Sequence, residues 1–497
     1  MMKKTKVLIP ILLLSLVAVG AVLALGIGES AAFTAQPGIN PLRIPELIDS
    51  MENDDIQLVL QNGSHSFYDG VLSDTSGFNG DYLGPTIRLY RDRVANISFT
   101  NRLEEPTTVH GHGLHVNGEL DGGPQSRIIP GDTWSISIPV AQEAGTSWYH
   151  PHLMGKTAEQ VHAGLAGVYI IEDENSLALD LPRDYGINDI PLVVQDRSFT
   201  DGRMNDYAID REQLFNGLRE DTLVVNGTVD AYQEVPAGWV RLRLLNGSNS
   251  RFYRFSFASG RPFYKIATEG GFLNEPVLME SIEMAPGERN EIMIDLSDAA
   301  TASLIADFLP VDPEDRGRQR IPRAQVLELR VSPELEASGS LPEVLNDIAF
   351  FSRSDAVKTR DFVMEMDGIN GDRNSRDNSL PANYKESFSI NGQSMNMMMV
   401  NERINLGDVE IWRIQAERMP HPFHIHGVSF QILSIDGRPP AEADRGWKDT
   451  VVVPPKKVVE VILRFDHAAS DEYPFMYHCH MLEHEEGGMM GQFTVNE

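Results

Sequence analysis

Val94-Ala95-Asn96-Ile97-Ser98-Phe99-Thr100 alternates apolar with polar residues. Successive side chains of an extended chain point to opposite faces, so this period of two describes a half-buried strand. The same alternation returns in Trp134-Ser135-Ile136-Ser137-Ile138, Val240-Arg241-Leu242-Arg243-Leu244 and Glu410-Ile411-Trp412-Arg413-Ile414. Turn residues punctuate these segments and long amphipathic helical windows are scarce. The class is therefore all-β, built from sandwiches.

A chain of 497 residues has room for about three domains. Gly131-Asp132, Gly287-Glu288 and Gly407-Asp408 each introduce an alternating strand, which suggests three similar units. The Pro-, Asp- and Arg-rich stretches Leu181 to Asn188 and Pro310 to Arg323, with Ser332 to Asp347, read as connections. The expected domains are 45–180, 181–340 and 341–497.

The start, Met1-Met2-Lys3-Lys4-Thr5-Lys6, is basic, and Val7 to Gly28 carries no charge. Residues 1–32 read as an export signal, with cleavage favoured after Ser30-Ala31-Ala32. The apolar run approaches the ~20 residues that span a bilayer, so an uncleaved N-terminal membrane anchor is the alternative. Either way the body is expected outside the cytoplasm, periplasmic or extracellular, and it meets a membrane only if the segment is retained. A single cysteine excludes an intramolecular disulfide. The net charge of −30 argues against nucleic acid as a partner.

That one cysteine stands in Tyr477-His478-Cys479-His480-Met481-Leu482-Glu483-His484, followed by Met489. A free cysteine is most often a small buried hydrophobe. Here its neighbours are imidazoles and a thioether, and a His₂Cys site with a weak axial Met is the blue-copper arrangement. Cys479, His484 and Met489 come from one loop, and His421 offers the missing second imidazole. On an extended chain His478 and His480 must face away from Cys479, so the same three residues can touch two metal sites.

Four His-x-His pairs occur: His110/His112, His150/His152, His424/His426 and His478/His480. Random placement of 14 histidines predicts roughly 0.4 such pairs. Two pairs lie in the first third and two in the last, and His150-Pro151-His152 resembles His478-Cys479-His480. Gly164-Leu165-Ala166-Gly167 likewise matches Gly488-Met489-Met490-Gly491. Domains 1 and 3 read as diverged copies in which Pro151 replaces the cysteine and Leu165 the axial methionine. Eight facing histidines then imply a multinuclear cluster where those domains meet. Of the other histidines, His65 and His467 are expected at the surface, and His115 and His162 are expected to be structural.

From about Asn79 to Val495 the chain resembles the three-domain multicopper oxidases. Within them it is most similar to the bacterial copper-efflux (cuprous) oxidases and laccases. The resemblance runs through Tyr82-Leu83-Gly84-Pro85-Thr86-Ile87, Asp121-Gly122-Gly123-Pro124, Gly446-Trp447-Lys448-Asp449-Thr450 and Met489-Met490. It implies three consecutive cupredoxin-like Greek-key β-sandwich domains and four copper ions. His421, Cys479, His484 and Met489 would hold the type 1 copper. His110 and His424 would hold type 2, and His112, His150, His152, His426, His478 and His480 the binuclear type 3 pair.

The implied reaction takes electrons singly at type 1 and reduces O2 to water at the trinuclear cluster, with Cys479 as the electron junction. Asp121 and Glu485 match acidic residues that the family uses to deliver protons. Gly111 stands where the family usually has an aromatic residue, which would open the approach to the cluster.

Cu(I) as reductant, and hence a copper-tolerance role, is favoured by soft thioethers. Glu417 and Met419 fall where cuprous oxidases hold substrate copper, with Met364 and Met366 as further candidates. Met395, Met397, Met398 and Met399 are either a second thioether cluster or core filling. The alternative is a laccase-type oxidation of phenols. A more remote one is a non-catalytic scaffold, since some relatives that lost copper serve in bacterial cell division. Retention of all ten histidines and Cys479 argues against it.

Overall fold

The segment Val94–Asn101 forms a strand with Ala95, Ile97 and Phe99 buried and Val94 exposed. It runs parallel to Asp55–Tyr68 and antiparallel to Thr133–Pro139. Fully burying a side chain such as Ile97 or Phe99 is worth about 1.5–3 kcal/mol, which fixes the face the strand turns inward. This computed structural model describes residues 35–310, 322–366 and 378–496. The expected export signal at 1–32 lies outside the described residues. Among the described residues, no helix is long and apolar enough to cross a membrane.

The protein is all-β, and its sheets pack in pairs as cupredoxin-like sandwiches. One core joins Ile56, Leu58, Ile97 and Phe99 of a four-stranded sheet to Ile87, Leu89, Tyr149 and Ile171 of a five-stranded one. A second lies between two six-stranded sheets, with Leu242 and Leu244 facing Phe255 and Leu304. A third joins Phe362, Trp412 and Val461 to Phe423, Tyr477 and Phe493 across two five-stranded sheets. Cys479 and Met489 belong to this third core.

The three repeated turns have one geometry. Gly131, Gly287 and Gly407 all adopt positive φ, at 90°, 83° and 85°. Only glycine takes that conformation without steric cost. Each precedes a strand, respectively Thr133–Pro139, Arg289–Asp295 and Val409–Ala416.

One strand departs from the expected half-burial. In Trp239–Asn246, Arg241 and Arg243 are buried as completely as the leucines between them. They face a buried acidic set: Arg241 pairs with Glu291 at 2.5 Å, and Arg243 pairs with Asp189 at 2.6 Å and Glu291 at 3.0 Å. Thr146 of the first sandwich donates to Glu291 at 2.7 Å. The polar side of the strand therefore faces a neighbouring sandwich rather than water, and burial is tolerated because the charges are paired and hydrogen-bonded.

Candidate metal centre

The histidine pairs sit on equivalent strands. In the first sandwich His110–His112 pairs with Gly145–His150, placing His110 opposite His150. In the third, His421–Ile425 pairs with Phe475–Cys479, placing His424 opposite His478. Register is thus the same in both copies. The two sandwiches meet through their imidazoles: His110 stacks on His426 at 3.8 Å between ring centroids, and His112 on His424 at 3.6 Å.

All eight histidines of these pairs are buried. Their ring nitrogens gather in groups within 4.8 Å: His112, His150 and His480; His152, His426 and His478; and His110 and His424 with His112. Hydrogen bonds on one nitrogen aim the other inward. His110 Nδ1 donates to the Asp121 carbonyl at 2.8 Å and His424 Nδ1 to the Asp449 carbonyl at 2.9 Å. His150 Nδ1 donates to the Pro151 carbonyl and His478 Nδ1 to that of Cys479.

Several of the inward nitrogens, including His110 Nε2, His424 Nε2 and His480 Nε2, are buried with no hydrogen-bond partner. His478 Nε2 stands 3.2 Å from both His152 Nε2 and His426 Nε2. An unpaired buried polar group costs about 1–3 kcal/mol. Burial, with the neighbouring imidazoles second, holds His150, His152, His426 and His478 well below the ordinary histidine range. Neutral rings converging lone pairs suit cations, and imidazole suits copper.

A fourth group holds His421, Cys479 and His484. His421 Nδ1 lies 3.3 Å from Cys479 Sγ and 3.2 Å from His484 Nδ1, while Sγ lies 3.8 Å from His484 Nδ1. Burial pushes the Cys479 thiol up and the His484 imidazole down to about 4. Metal binding would displace that proton, since the thiolate is the form that ligates. Met489 is fully buried, its N–H donating to the His484 carbonyl at 2.9 Å and its carbonyl accepting from Cys479 at 3.1 Å. Thiolate, imidazole and thioether together fit copper.

Multicopper oxidase family models match residues 59–176 and 368–497. The laccase-like multicopper oxidase CueO from Ochrobactrum sp. is 36% identical, with a TM-score of 0.83, over 92% of this chain and 100% of that one. The chain belongs to the multicopper oxidase family. A laccase from Pediococcus acidilactici is 31% identical with a TM-score of 0.80, covering 94% of this chain and 95% of that one. The cell division protein FtsP of Escherichia coli (strain K12) is 36% identical over 92% of this chain and 93% of its own length. Family membership implies copper and the general oxidase reaction, in which a reductant is oxidised and O2 consumed.

In this multicopper oxidase the acidic candidates lie against the cluster. Asp121 Oδ2 accepts from His426 Nδ1 at 2.8 Å and lies 3.4 Å from His110 Nδ1. Glu485 reaches His152 Nδ1 at 3.4 Å and His478 Nδ1 at 3.3 Å. Burial, then the adjacent Glu486, raises the Glu485 carboxyl well above the usual range.

Sequence reasoning gave no role to Asp449 or Arg289. Asp449 Oδ1 accepts from His112 Nε2 at 3.2 Å, while Arg289 binds both carboxylate oxygens at 2.8 and 2.6 Å. Burial alone would raise this carboxyl, but Arg289 and His112 hold it well below its ordinary range. Its ion pair fixes the His112 tautomer with Nδ1 inward. Asp449 was legible only as part of a motif, and Arg289 had no signal in its own sandwich.

Glu417 is exposed, whereas Met419, Met364 and Met366 lie in the third apolar core. The Glu417 N–H donates to the Met364 carbonyl at 3.3 Å. Met397 and Met398 are exposed, the latter at 93%, and fill no core. Gly111 opens nothing: a Cβ there would meet Leu114 Cδ1 at 2.6 Å, so Leu114 occupies that space. His65 is buried rather than at the surface, donating from Nε2 to the Gly227 carbonyl at 2.8 Å, because it seals a contact between the first two sandwiches. His467 is half-buried. His115 and His162 bond Ser429 and Glu220, both at 2.9 Å.

Proposed function

We propose that this protein oxidises Cu(I) one electron at a time at a blue site and reduces O2 to water at a three-copper cluster. The observation that carries the reading is the continuity of the two sites: Cys479 lies in one, and its neighbours His478 and His480 lie in the other. His421, Cys479 and His484, with Met489 as a fourth donor, would hold type 1 copper. His110 and His424 would hold type 2. His112, His150 and His480 would hold one type 3 ion, and His152, His426 and His478 the other. Bound copper supplies the one-electron redox chemistry and the site for O2.

The chain's own residues do the rest. Cys479 and the two flanking peptides give a covalent route between the sites. Burial keeps bulk water out and the imidazoles neutral. Glu485 holds a proton against His152 and His478, where a general acid is worth about 10²–10⁴ in rate. Asp121 orients His426 and lies close enough to serve the same cluster.

Exposed Met397 and Met398, with Glu417 beside the buried Met419, favour Cu(I) over phenols, since thioethers are soft donors. A copper-tolerance role outside the cytoplasm follows, with domain divisions near residues 180 and 340. The name FtsP supports a second reading, a cell-division scaffold. It does not account for ten buried histidines arranged around unpartnered nitrogens.

The test is oxygen uptake by the copper-loaded protein with Cu(I) and with a phenol, each repeated in Met419→Ala, alongside copper stoichiometry. Four ions per chain with Cu(I) oxidation slowed in the variant supports the reading. Unchanged Cu(I) oxidation removes Met419 from the substrate site, and a copper-free, oxygen-inert protein supports the scaffold.

A further inference from the structure

The two imidazoles of the Cys479 group turn Nδ1 inward, so each presents Nε2 outward, and the two outward nitrogens differ. His421 Nε2 is buried without a hydrogen-bond partner. His484 Nε2 donates to the backbone carbonyl of Phe215 at 3.0 Å. Phe215 belongs to the helix Arg211–Asn216, between strands of the second sandwich, and so comes from a different sandwich than the ligand it caps. The Phe388 ring covers His484 at 4.5 Å between centroids and meets Phe215 edge-on at 5.8 Å.

The short helix is held in three ways. Leu214 is fully buried in the third core. Asp210 caps the helix start by accepting from Gln213 N–H, and Gln213 returns a bond to Asp210 N–H, both at 2.9 Å. Asn378 of the third sandwich clasps that cap: its carbonyl accepts from Arg211 N–H at 3.0 Å and its side chain donates to Asp210 Oδ2 at 2.5 Å. At the far end Gly217, at φ 77°, passes so close to Ser250 and Met481 that a Cβ would collide with both.

We infer that the helix Arg211–Asn216 is a specificity element, whose Phe215 carbonyl and Phe388 ring seal the His484 edge against bulky organic reductants. This rests on the oxidase reading above and narrows its substrate class. A phenol passes its electron through direct contact with the outward edge of the imidazole, at van der Waals range. At His484 the outward nitrogen already donates to a carbonyl, and no side-chain substitution removes a backbone acceptor. A small reductant such as a cuprous ion needs no such edge. Asp210 and Asn378 are positioning residues that hold the seal.

The test uses full-length, copper-loaded protein in two variants. Asn378→Ala removes the side-chain half of the clasp with little risk to the fold, and replacement of residues 211–216 by a Gly-Ser linker of equal length removes the seal. The first readout is kcat/KM for a dimethoxyphenol and for Cu(I). We expect the phenol value to rise on the order of tenfold in the linker variant, and less in Asn378→Ala, with Cu(I) unchanged. The second readout is pulsed EPR of the blue site in D2O, following exchange of the His484 Nε2 proton, expected to be slow in the parent and fast in both variants. The inference is overturned if exchange accelerates while the phenol-to-Cu(I) ratio stays fixed. It is equally overturned if the parent proton exchanges within the mixing time. Loss of oxygen uptake with every reductant in the parent would instead refute the oxidase reading.

Discussion

Replacing Asp449 by Asn separates what the carboxylate does for the fold from what it does for copper. Asp449 is 1% exposed and neutralises Arg289, itself fully buried, through two bonds, while its Oδ1 orients His112. Leaving one partner of a buried ion pair uncompensated costs about 3–5 kcal/mol. Asn keeps an oxygen for His112 Nε2 but loses the charge that strengthens the bond, and disturbing such a bond to a metal-binding histidine costs about 10–100-fold in metal affinity. That factor is about 1.4–2.8 kcal/mol. Copper-free Asp449→Asn should therefore unfold at lower denaturant, and its cluster should load at higher free copper in a chelator-buffered titration. The double variant Asp449→Asn/Arg289→Met removes the stranded charge. It should recover much of the stability while keeping the affinity defect, because a neutral amide holds His112 less firmly than the carboxylate does. If the double variant recovers affinity together with stability, the orienting role is wrong and the pair is purely structural.

Three further outcomes follow from the geometry. Cys479→Ser should abolish the intense blue absorption and turnover, while copper analysis still finds the three-copper cluster loaded. Glu485→Gln should lower turnover by about 10²–10⁴ at unchanged copper content, measured as oxygen uptake under saturating reductant. Asp189 and Glu291 are held below the ordinary carboxylate range by Arg243 and Arg241, against burial that would raise them. Their contribution is then fully present above the unfolded values near pH 4 and is lost as pH falls through the lower folded ones. Thermal unfolding between pH 5 and 3 should show that loss, with a shallower slope in Glu291→Gln.

The sequence made the strands and the gathering of the histidines legible because both obey short periods. Alternation at Ile97 reports burial directly, and a His-x-His pair on an extended chain reports a shared face. The repeated glycines at 131, 287 and 407 were readable because a left-handed turn admits few residues. What stayed hidden depends on contacts between sandwiches. Arg241 and Arg243 look like a solvent face until their partners Asp189 and Glu291 are placed. His65 looks exposed until Gly227 closes over it, and nothing in the local sequence around Phe215 announces that its carbonyl meets His484. Gly111 misled because its vacated space is filled by Leu114, a residue three positions on.

The strand Met490–Asn496 lies inside its sheet, bonded to Glu402–Asn405 on one side and Phe475–Cys479 on the other. The ligand-bearing strand Phe475–Cys479 is therefore unsupported on one edge until this late segment arrives. His110 and His426 stack across more than 300 residues of chain. Contacts of such long range form slowly. The first sandwich can fold early, but its four buried histidines at the seam wait for partners made more than 300 residues later in the chain. A frameshift near residue 490 would strip the Phe475–Cys479 strand of its Met490–Asn496 neighbour while leaving Cys479 itself in place.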